Sequence, residues 1–236
     1  MDRGPFSGAT SLRRHAQLRQ RGKRQQTDTI QGSNTMTGPS GTEGYAEEAE
    51  TLVRQYESVA FADVHRTVLS LMPPPPADVV DIGAGTGRDA AGFAALGYRV
   101  TAVEPTDALR HRAMALHDSP TIAWVDDSLP ELAVVSARGE TFDIVMLTAV
   151  WMHLDEEQRR RAMPRVAALV RPGGVMMLSL RHGPVPAGRR MFDVTSQETI
   201  LLAQLQGLHV IRHMKTQDSM FRRPGVTWDR LAFARS

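Results

Sequence analysis

The chain of 236 residues contains no cysteine. This absence excludes disulfide bonds, zinc sites with thiolate ligands and catalysis by a cysteine nucleophile. It is typical of proteins kept in a reducing compartment, so we expect a cytoplasmic protein.

Long apolar runs are also missing. None approaches the roughly 20 residues that cross a bilayer as a helix, so we expect no membrane partner. The charged N-terminus is not followed by the apolar stretch of a secretory signal. With 42% hydrophobic residues, the chain can still bury a sizeable core. Its length fits one α/β domain better than two.

The charge is distributed unevenly. Residues 1–42 hold seven Lys and Arg against two Asp, a net charge of +5, whereas the remainder holds 21 against 24, a net charge of −3. The first segment is rich in Gly, Ser, Thr, Gln and Arg and too poor in apolar residues to offset the entropy of ordering. We predict a disordered basic tail over 1–42 and one folded domain over 43–236. The tail is compatible with a nucleic-acid-binding arm, a transit peptide or a solvated extension, but the mildly acidic domain gives no reason to expect a nucleic acid partner.

Apolar runs alternate with helical periodicity along the folded part. Runs that are apolar throughout are typical of parallel strands covered by helices on both faces, so the pattern predicts an α/β fold with a parallel sheet. The last two strands follow one another without a helix, which predicts an antiparallel pair at the sheet edge. The predicted strands are Asp78–Ile82, Tyr98–Val103, Thr121–Val125, Phe142–Leu147, Gly174–Leu180, Leu208–Met214 and Val226–Ala234. The predicted helices begin near Tyr45 and then cover Ala62–Leu71, Arg88–Leu96, Asp107–His117, Leu129–Ala137, Glu156–Val170 and Thr195–Gln206.

A glycine-rich loop, DIGAGTGR over residues 81–88, follows the first of these strands and opens a helix. Gly83 permits a tight turn, and Gly85 and Gly87 let a ligand approach the backbone closely. In open α/β sheets, ligands bind at the carboxyl ends of the strands, where this loop falls. The loop therefore predicts a binding site for a small ligand.

Two acids indicate which ligand the loop binds. Asp81 would repel a pyrophosphate, but it would favour the ammonium and sulfonium groups of S-adenosylmethionine (SAM). Arg88 stands where a dinucleotide-binding loop has glycine or alanine. Glu104 ends the next strand, 17 residues after Gly87, where an acid can accept both ribose hydroxyls. The pattern thus favours SAM over a nicotinamide dinucleotide.

Residues from about Tyr45 to Ala234 resemble the class I SAM-dependent methyltransferases, most specifically at Val79–Arg88 and Val100–Pro105. Phe142–Leu154 and Leu169–Val175 are similar to the family's fourth strand and to the turn before its fifth. The resemblance implies a Rossmann-like, doubly wound, mostly parallel seven-stranded sheet with an antiparallel C-terminal strand.

The resemblance also implies SAM as the cofactor, with either Asp126 or Asp127 accepting from the adenine amino group. The cofactor-binding residues that it implies are Asp81, Gly83, Ala84, Gly85, Thr86, Gly87, Glu104, Pro105, Asp126, Asp127, Thr148 and Ala149.

Candidates for the methyl-acceptor side follow the fourth and fifth strands. His153 and His182 could act as general bases because a histidine pKa lies near neutrality, although His153 could equally be structural. Trp151 could stack on a flat substrate or pack beside the cofactor. Arg189 and Arg190 could bind a carboxylate or phosphate, or carry solvated charge.

Two further residues complete the predicted substrate site. Arg181 directly follows the fifth strand, and Tyr56 lies in an N-terminal helix of the kind that covers the site in the resembling family.

Several methyltransferase subclasses lack support. No Asn/Asp-Pro-Pro-Tyr/Phe motif follows the fourth strand, which argues against methylation of amino groups on nucleic acid bases. The absence of cysteine excludes methylation through attack on a pyrimidine ring and arsenic binding, and Thr148 and Ala149 replace the carboxylate of a catechol-type magnesium site. We therefore expect a small-molecule methyl acceptor and no metal. A nicotinamide-dependent oxidoreductase and a non-catalytic SAM-binding module are the alternatives.

Overall fold

The computed structural model describes residues 39–216, 220–221 and 223–236, together with Met1. Of the predicted tail, residues 2–38 lie outside the described residues. The strands in the described part are β1 (Asp78–Ile82), β2 (Arg99–Val103), β3 (Ile122–Val125), β4 (Phe142–Thr148), β5 (Val170–His182), β6 (Leu208–Thr216) and β7 (Thr227–Arg235).

The seven strands form one sheet in the order β3-β2-β1-β4-β5-β7-β6. β7 is antiparallel to both β5 and β6, and the other neighbours pair in parallel. The predicted doubly wound, mostly parallel sheet with an antiparallel C-terminal strand is confirmed. Because the chain leaves β1 on one side for β2 and later returns on the other side as β4, the carboxyl end of β1 is a topological switch point.

The α-helices are α1 (Ala49–Tyr56), α2 (Phe61–His65), α3 (Arg88–Ala95), α4 (Asp107–Leu116), α5 (Ala133–Ala137), α6 (Glu156–Leu169) and α7 (Ser196–Gln204). Two short 3₁₀ helices cover Leu69–Leu71 and Trp151–His153. Side-chain caps explain two of the helix starts. The Asp155 carboxylate accepts from the Gln158 backbone amide in a capping box before α6, and the Thr195 hydroxyl accepts from the Glu198 amide before α7.

Helices cover both faces of the sheet, so each strand buries side chains in two directions. In β1, Val80 and Ile82 belong to the core cluster that includes residues of α6 and α7, whereas Val79 belongs to the cluster that includes residues of α3. This two-sided burial explains why the strands are apolar at successive positions rather than at alternate ones.

Two predicted helices are shorter in the structure. The prediction of Ala62–Leu71 was wrong after His65, because the chain tightens there into three-residue hydrogen-bonded turns, such as Val68 N to His65 O at 2.8 Å. α5 begins only at Ala133, because Leu132 has a left-handed φ of 45° that interrupts a helix from Leu129.

All of these elements belong to a structural unit that runs from Met36 to Ser236. Within its described part, no helix has both the length and the apolar character to cross a membrane.

Candidate functional site

A cavity of about 520 Å³ opens at the carboxyl ends of β1, β2 and β4. Its lining comes from the loop after β1, from residues between Ser40 and Val64, from the segment after β5 and from residues that join β6 to β7. The volume falls within the roughly 300–1,000 Å³ that is typical of small-molecule sites.

The three loop glycines have different roles. Gly83, Gly85 and Gly87 have φ angles of 74°, 58° and 86°, in a backbone region that residues other than glycine rarely adopt. A Cβ on Gly85 would meet only a backbone oxygen at 3.9 Å, so this glycine leaves open space toward the cavity. A Cβ on Gly87 would lie 2.8 Å from the side chains of His117 and Trp124. Gly87 therefore permits helix packing, whereas Gly85 permits a ligand to approach the backbone.

Glu104 is buried at the end of β2 and lines the cavity. Its Oε2 accepts from the Gly85 amide at 2.8 Å, and its Oε1 accepts from the Thr106 amide at 2.8 Å. Burial raises the pKa of Glu104, although these hydrogen bonds oppose the shift. Each oxygen keeps a further lone pair, so the carboxylate can still accept from two ligand hydroxyls.

Asp81 is 1% exposed, and its Oδ2 has no hydrogen-bond partner among the described residues. Its pKa is raised well above the usual value by burial and by the neighbouring Asp89 carboxylate, against the opposing charge of Arg88. Thr148 Oγ1, at the end of β4, is likewise buried without a partner in the described part of the chain. Both residues line the cavity, so a ligand with hydrogen-bond donors and positive charge would complete the site.

The structure separates the two candidates for the adenine contact. Asp127 lines the cavity, and its oxygens accept from the Ser128 and Val135 amides at 2.8 and 2.9 Å. The Asp126 side chain is 66% exposed and lies 3.3 Å from Arg110. Position thus favours Asp127 for a contact with the adenine.

Thr86 connects the glycine loop to the N-terminal helices. Its hydroxyl donates to Glu57 Oε1 at 2.6 Å, and His117 Nε2 lies 3.3 Å from the same oxygen. Burial alone would raise the pKa of Glu57, but the neighbouring His117 and the hydrogen bond from Thr86 outweigh it and lower the pKa. The remaining predicted cofactor residues on the cavity wall are Gly83, Ala84, Pro105 and Ala149.

On the methyl-acceptor side, Tyr45 and His153 both line the cavity and contact each other. His153 Nε2 lies 3.0 Å from the Tyr45 hydroxyl, and Nδ1 lies 2.8 Å from the Arg190 carbonyl oxygen. Burial lowers the pKa of His153 and raises the pKa of Tyr45. Both groups are therefore neutral near pH 7.

Arg181 lines the cavity and is largely buried. Its Nη2 donates to the Pro184 carbonyl at 2.8 Å, but its Nε has no partner, and no carboxylate pairs with it among the described residues. Burial lowers the pKa of Arg181, and the nearby positive charge of Arg223 acts in the same direction. A buried guanidinium without a counterion is a candidate site for an anion.

Arg189 and Tyr56 also reach the cavity. The Arg189 guanidinium already lies over the Tyr45 ring, 4.1 Å from its centroid, and its Nη2 is 2.7 Å from Glu48 Oε2. Arg189 therefore stabilises the wall of the site, and Arg181 is the better candidate for binding an anion.

Three of the predicted catalytic and substrate-binding residues do not line the cavity. Trp151 is fully buried in the hydrophobic core, where it cannot stack on a substrate. Arg190 pairs with Asp155 at 2.8 Å before α6. His182 lies beside β7, 3.6 Å from Asp229, and not on the cavity wall. Trp151 and Arg190 follow β4 and β5, and His182 is the last residue of β5, but none of the three lines the cavity.

Several cavity residues near the C-terminus were not predicted: Phe221, Arg223, Trp228 and Arg230. The feature of the sequence that could have identified them is the Pro224-Gly225 turn between the last two strands. Because β6 is parallel to β5, this turn falls at the same edge of the sheet as the glycine loop.

Comparison with solved structures places the fold among methyltransferases. The 1,6-didemethyltoxoflavin-N1-methyltransferase of Burkholderia thailandensis, solved with S-adenosylhomocysteine, has a TM-score of 0.60 and 22% identity, covering 80% of this chain and 89% of that one. The magnesium protoporphyrin IX methyltransferase of Synechocystis has a TM-score of 0.58 and 17% identity, covering 82% of this chain and 85% of that one. At these identities, the comparison establishes a shared fold.

Sequence comparison finds similarity to methyltransferases as well. Glycine N-methyltransferase of Rattus norvegicus is 25% identical over 171 residues and that of Homo sapiens is 26% identical over 182, each covering 64% of this chain. The chain spans 58% and 59% of the length of these two relatives. Residues 79–174, which contain the glycine loop and Glu104, match the family model described as a methyltransferase domain. Together with the sheet order and the loop geometry, this match places residues 79–174 in a methyltransferase domain with the Rossmann-like fold of the solved structures.

Proposed function

We propose that the protein transfers a methyl group from SAM to a small molecule that carries an anionic group. The observation that carries the cofactor assignment is the pair of buried acids at the glycine loop. Glu104 is oriented by two backbone amides and keeps lone pairs for hydroxyls, while Asp81 has an oxygen without a partner in the described residues. Two carboxylates at this point suit a ribose and a cation and disfavour a pyrophosphate.

Each part of the cofactor is assigned to residues that line the cavity. Glu104 would accept from the ribose hydroxyls, and Asp127 would accept from the adenine amino group. Asp81, Gly85 and Thr148 would surround the ammonium and sulfonium groups. When bound, SAM supplies a methyl group on a sulfonium, which is already activated, so the residues of this chain mainly need to orient the nucleophile.

The proposal of an anionic methyl acceptor rests on Arg181. Its guanidinium is buried at the cavity without a carboxylate partner in the described part of the chain, and the positive charge of Arg223 lies close enough to lower its pKa. Two neighbouring cations that have no carboxylate partner among the described residues favour an anionic ligand. Glycine, named as the substrate of the curated relatives, carries such a carboxylate.

The test is a methyl-transfer assay with radiolabelled SAM and a panel of glycine, sarcosine and 2-aminobenzoate. Arg181→Ala should raise the KM for an accepted carboxylate about 10- to 100-fold, because a charged hydrogen-bonded pair contributes roughly 1.5–3 kcal/mol. Arg181→Lys should recover only part of this loss, since lysine keeps the charge without the planar fork. Arg138→Ala, an exposed arginine after α5, is the control. Unchanged kinetics in Arg181→Ala would exclude the anion site.

A further inference from the structure

The hydrogen bonds around His153 determine where its proton lies. A carbonyl oxygen can only accept, so the 2.8 Å contact with the Arg190 carbonyl requires a proton on Nδ1. Burial keeps the ring neutral by lowering its pKa, and the Arg189 charge adds to the effect. Nε2 therefore has only a lone pair, and the Tyr45 hydroxyl at 3.0 Å must donate to it.

This arrangement commits the single proton of Tyr45 to His153. The phenol oxygen can then offer only lone pairs to a ligand in the cavity. Burial raises the pKa of Tyr45, so the phenol remains protonated near pH 7. The Arg189 guanidinium packs over the ring at 4.1 Å from its centroid and fixes the orientation of the phenol.

The packing of the chain before α1 holds His153 in this state. Gly41 has a φ of 98°, and a Cβ at this position would lie 3.2 Å from His153 Cβ. His153 itself is 7% exposed. With little access to water, the ring has few other partners and the tautomer is fixed by the protein.

We propose that the hydrogen bonds from the Arg190 carbonyl through His153 to Tyr45 leave the Tyr45 hydroxyl able only to accept a hydrogen bond from a ligand. Tyr45 then accepts from an N–H or O–H of the substrate and so orients the atom that is methylated. This rests on the proposed function. Tyr45 is the residue that contacts the substrate, and His153 is a positioning residue that acts through it.

The inference narrows the substrate class. A substrate needs an anionic group for Arg181 and a hydrogen-bearing amine or hydroxyl as its nucleophile. A tertiary amine or a thioether has no such donor and would leave the Tyr45 oxygen without a partner, which is unfavourable in a buried site.

The first test measures the tautomer and needs no substrate. With ¹⁵N-labelled histidine at neutral pH, the His153 spectrum should show a protonated Nδ1 and an unprotonated, hydrogen-bonded Nε2. Tyr45→Phe should shift the Nε2 resonance toward the value of a free acceptor. Tyr98→Phe, which removes a hydroxyl bonded to the Pro73 carbonyl at 2.7 Å away from the cavity, should leave the spectrum unchanged. An Nε2-protonated ring or an imidazolium in the native protein would overturn the proposal.

The second test compares ligands that differ only in an amino group. Acetate against glycine, and benzoate against 2-aminobenzoate, are titrated into protein saturated with S-adenosylhomocysteine. In at least one pair, the amino compound should bind more tightly, and Tyr45→Phe should reduce that preference about 3- to 10-fold, the range for one neutral hydrogen bond. Affinity for the compound without the amino group should not change.

The two tests separate the two proposals. A preference that survives in Tyr45→Phe overturns the role of Tyr45. If none of the four compounds binds, the carboxylate site at Arg181 is wrong, and the histidine spectrum alone decides whether the hydrogen-bond chain exists.

Discussion

Glu104 holds the glycine loop in place while keeping lone pairs for a ligand, so its loss should affect binding more than folding. Glu104→Ala removes the acceptors of the Gly85 and Thr106 amides and the proposed contacts with the ribose. We expect SAM affinity to fall about 10- to 100-fold, since hydrogen bonds to charged groups are worth roughly 1.5–3 kcal/mol. Calorimetric titration with SAM measures the change.

The matched control for this change is Glu140→Ala, an exposed acid in the turn before β4. Its dissociation constant should equal that of the native protein. If Glu104→Ala folds correctly, as judged by circular dichroism, and binds SAM with unaltered affinity, the ribose assignment is incorrect.

Asp81 should make the stability of the free protein depend on pH. Its folded pKa lies above the usual 3.8, chiefly because of burial, so the native state keeps a proton that the unfolded chain has already released. The free energy of unfolding therefore falls as pH rises from the unfolded pKa through the folded one. Asp81→Asn should remove this fall, as measured by urea unfolding at a series of pH values from acidic to neutral.

The same residue predicts a proton exchange on binding. A cationic ligand favours the ionised carboxylate, so SAM binding should release a proton at a pH where the free protein keeps Asp81 protonated. Calorimetry in two buffers of different ionisation enthalpy measures the release, and an identical signal from Asp81→Asn would assign it to another group.

At the scale of elements, one short chain of contacts joins the end of α1 to the glycine loop. Glu57→Gln should weaken the hydrogen bond from Thr86 and the contact with His117, and so let α1 open more often. We expect hydrogen exchange of the α1 amides to become about 10-fold faster, corresponding to roughly 1.4 kcal/mol. In the native protein, the pKa of Glu57 is lowered from its usual value of 4.5. The stability that ionised Glu57 contributes is therefore lost only as pH falls below that value.

Helix α1 provides its own control. Glu50 pairs with Arg54 on the same helix, but both side chains are more than 60% exposed. Exposed pairs contribute little, so Glu50→Gln should leave exchange within error of the native protein. Equal acceleration in both variants would mean that Glu57 does not attach α1 to the loop.

Elements with a strong local pattern could be predicted from the sequence. β1 begins and ends where the sequence predicts, because helices on both faces favour the successive apolar side chains of Val79, Val80 and Ile82. α5 could not be predicted well, because its start depends on the left-handed Leu132, a conformation that no local pattern of apolar residues encodes.

At the scale of the molecule, a ligand that binds only the native state raises its melting temperature. SAM or S-adenosylhomocysteine at about 100 times the dissociation constant should add roughly 2.7 kcal/mol. For a domain of this size, that corresponds to about 5–10 °C, measurable by differential scanning fluorimetry. NAD at the same concentration serves as the control, and stabilisation by NAD rather than SAM would contradict the cofactor assignment.

The cofactor side of the cavity could be predicted because its residues follow one another through the loop, β2 and β4. The other side could not, because it depends on contacts between distant segments. Tyr45 meets His153 across 108 positions of sequence, and Arg189 meets Glu48 across 141. Such pairings are decided by tertiary packing, and a side chain such as Trp151 can turn into the core instead.

This division of the cavity has an evolutionary consequence. Residues proposed to hold the cofactor lie between positions 81 and 148, within the segment that matches the methyltransferase family, whereas Tyr45 and Arg181 lie outside that segment. Mutations in the flanking segments that spare the contact between Glu57 and the glycine loop can therefore alter the acceptor side of the cavity while the residues proposed to bind the methyl donor stay unchanged.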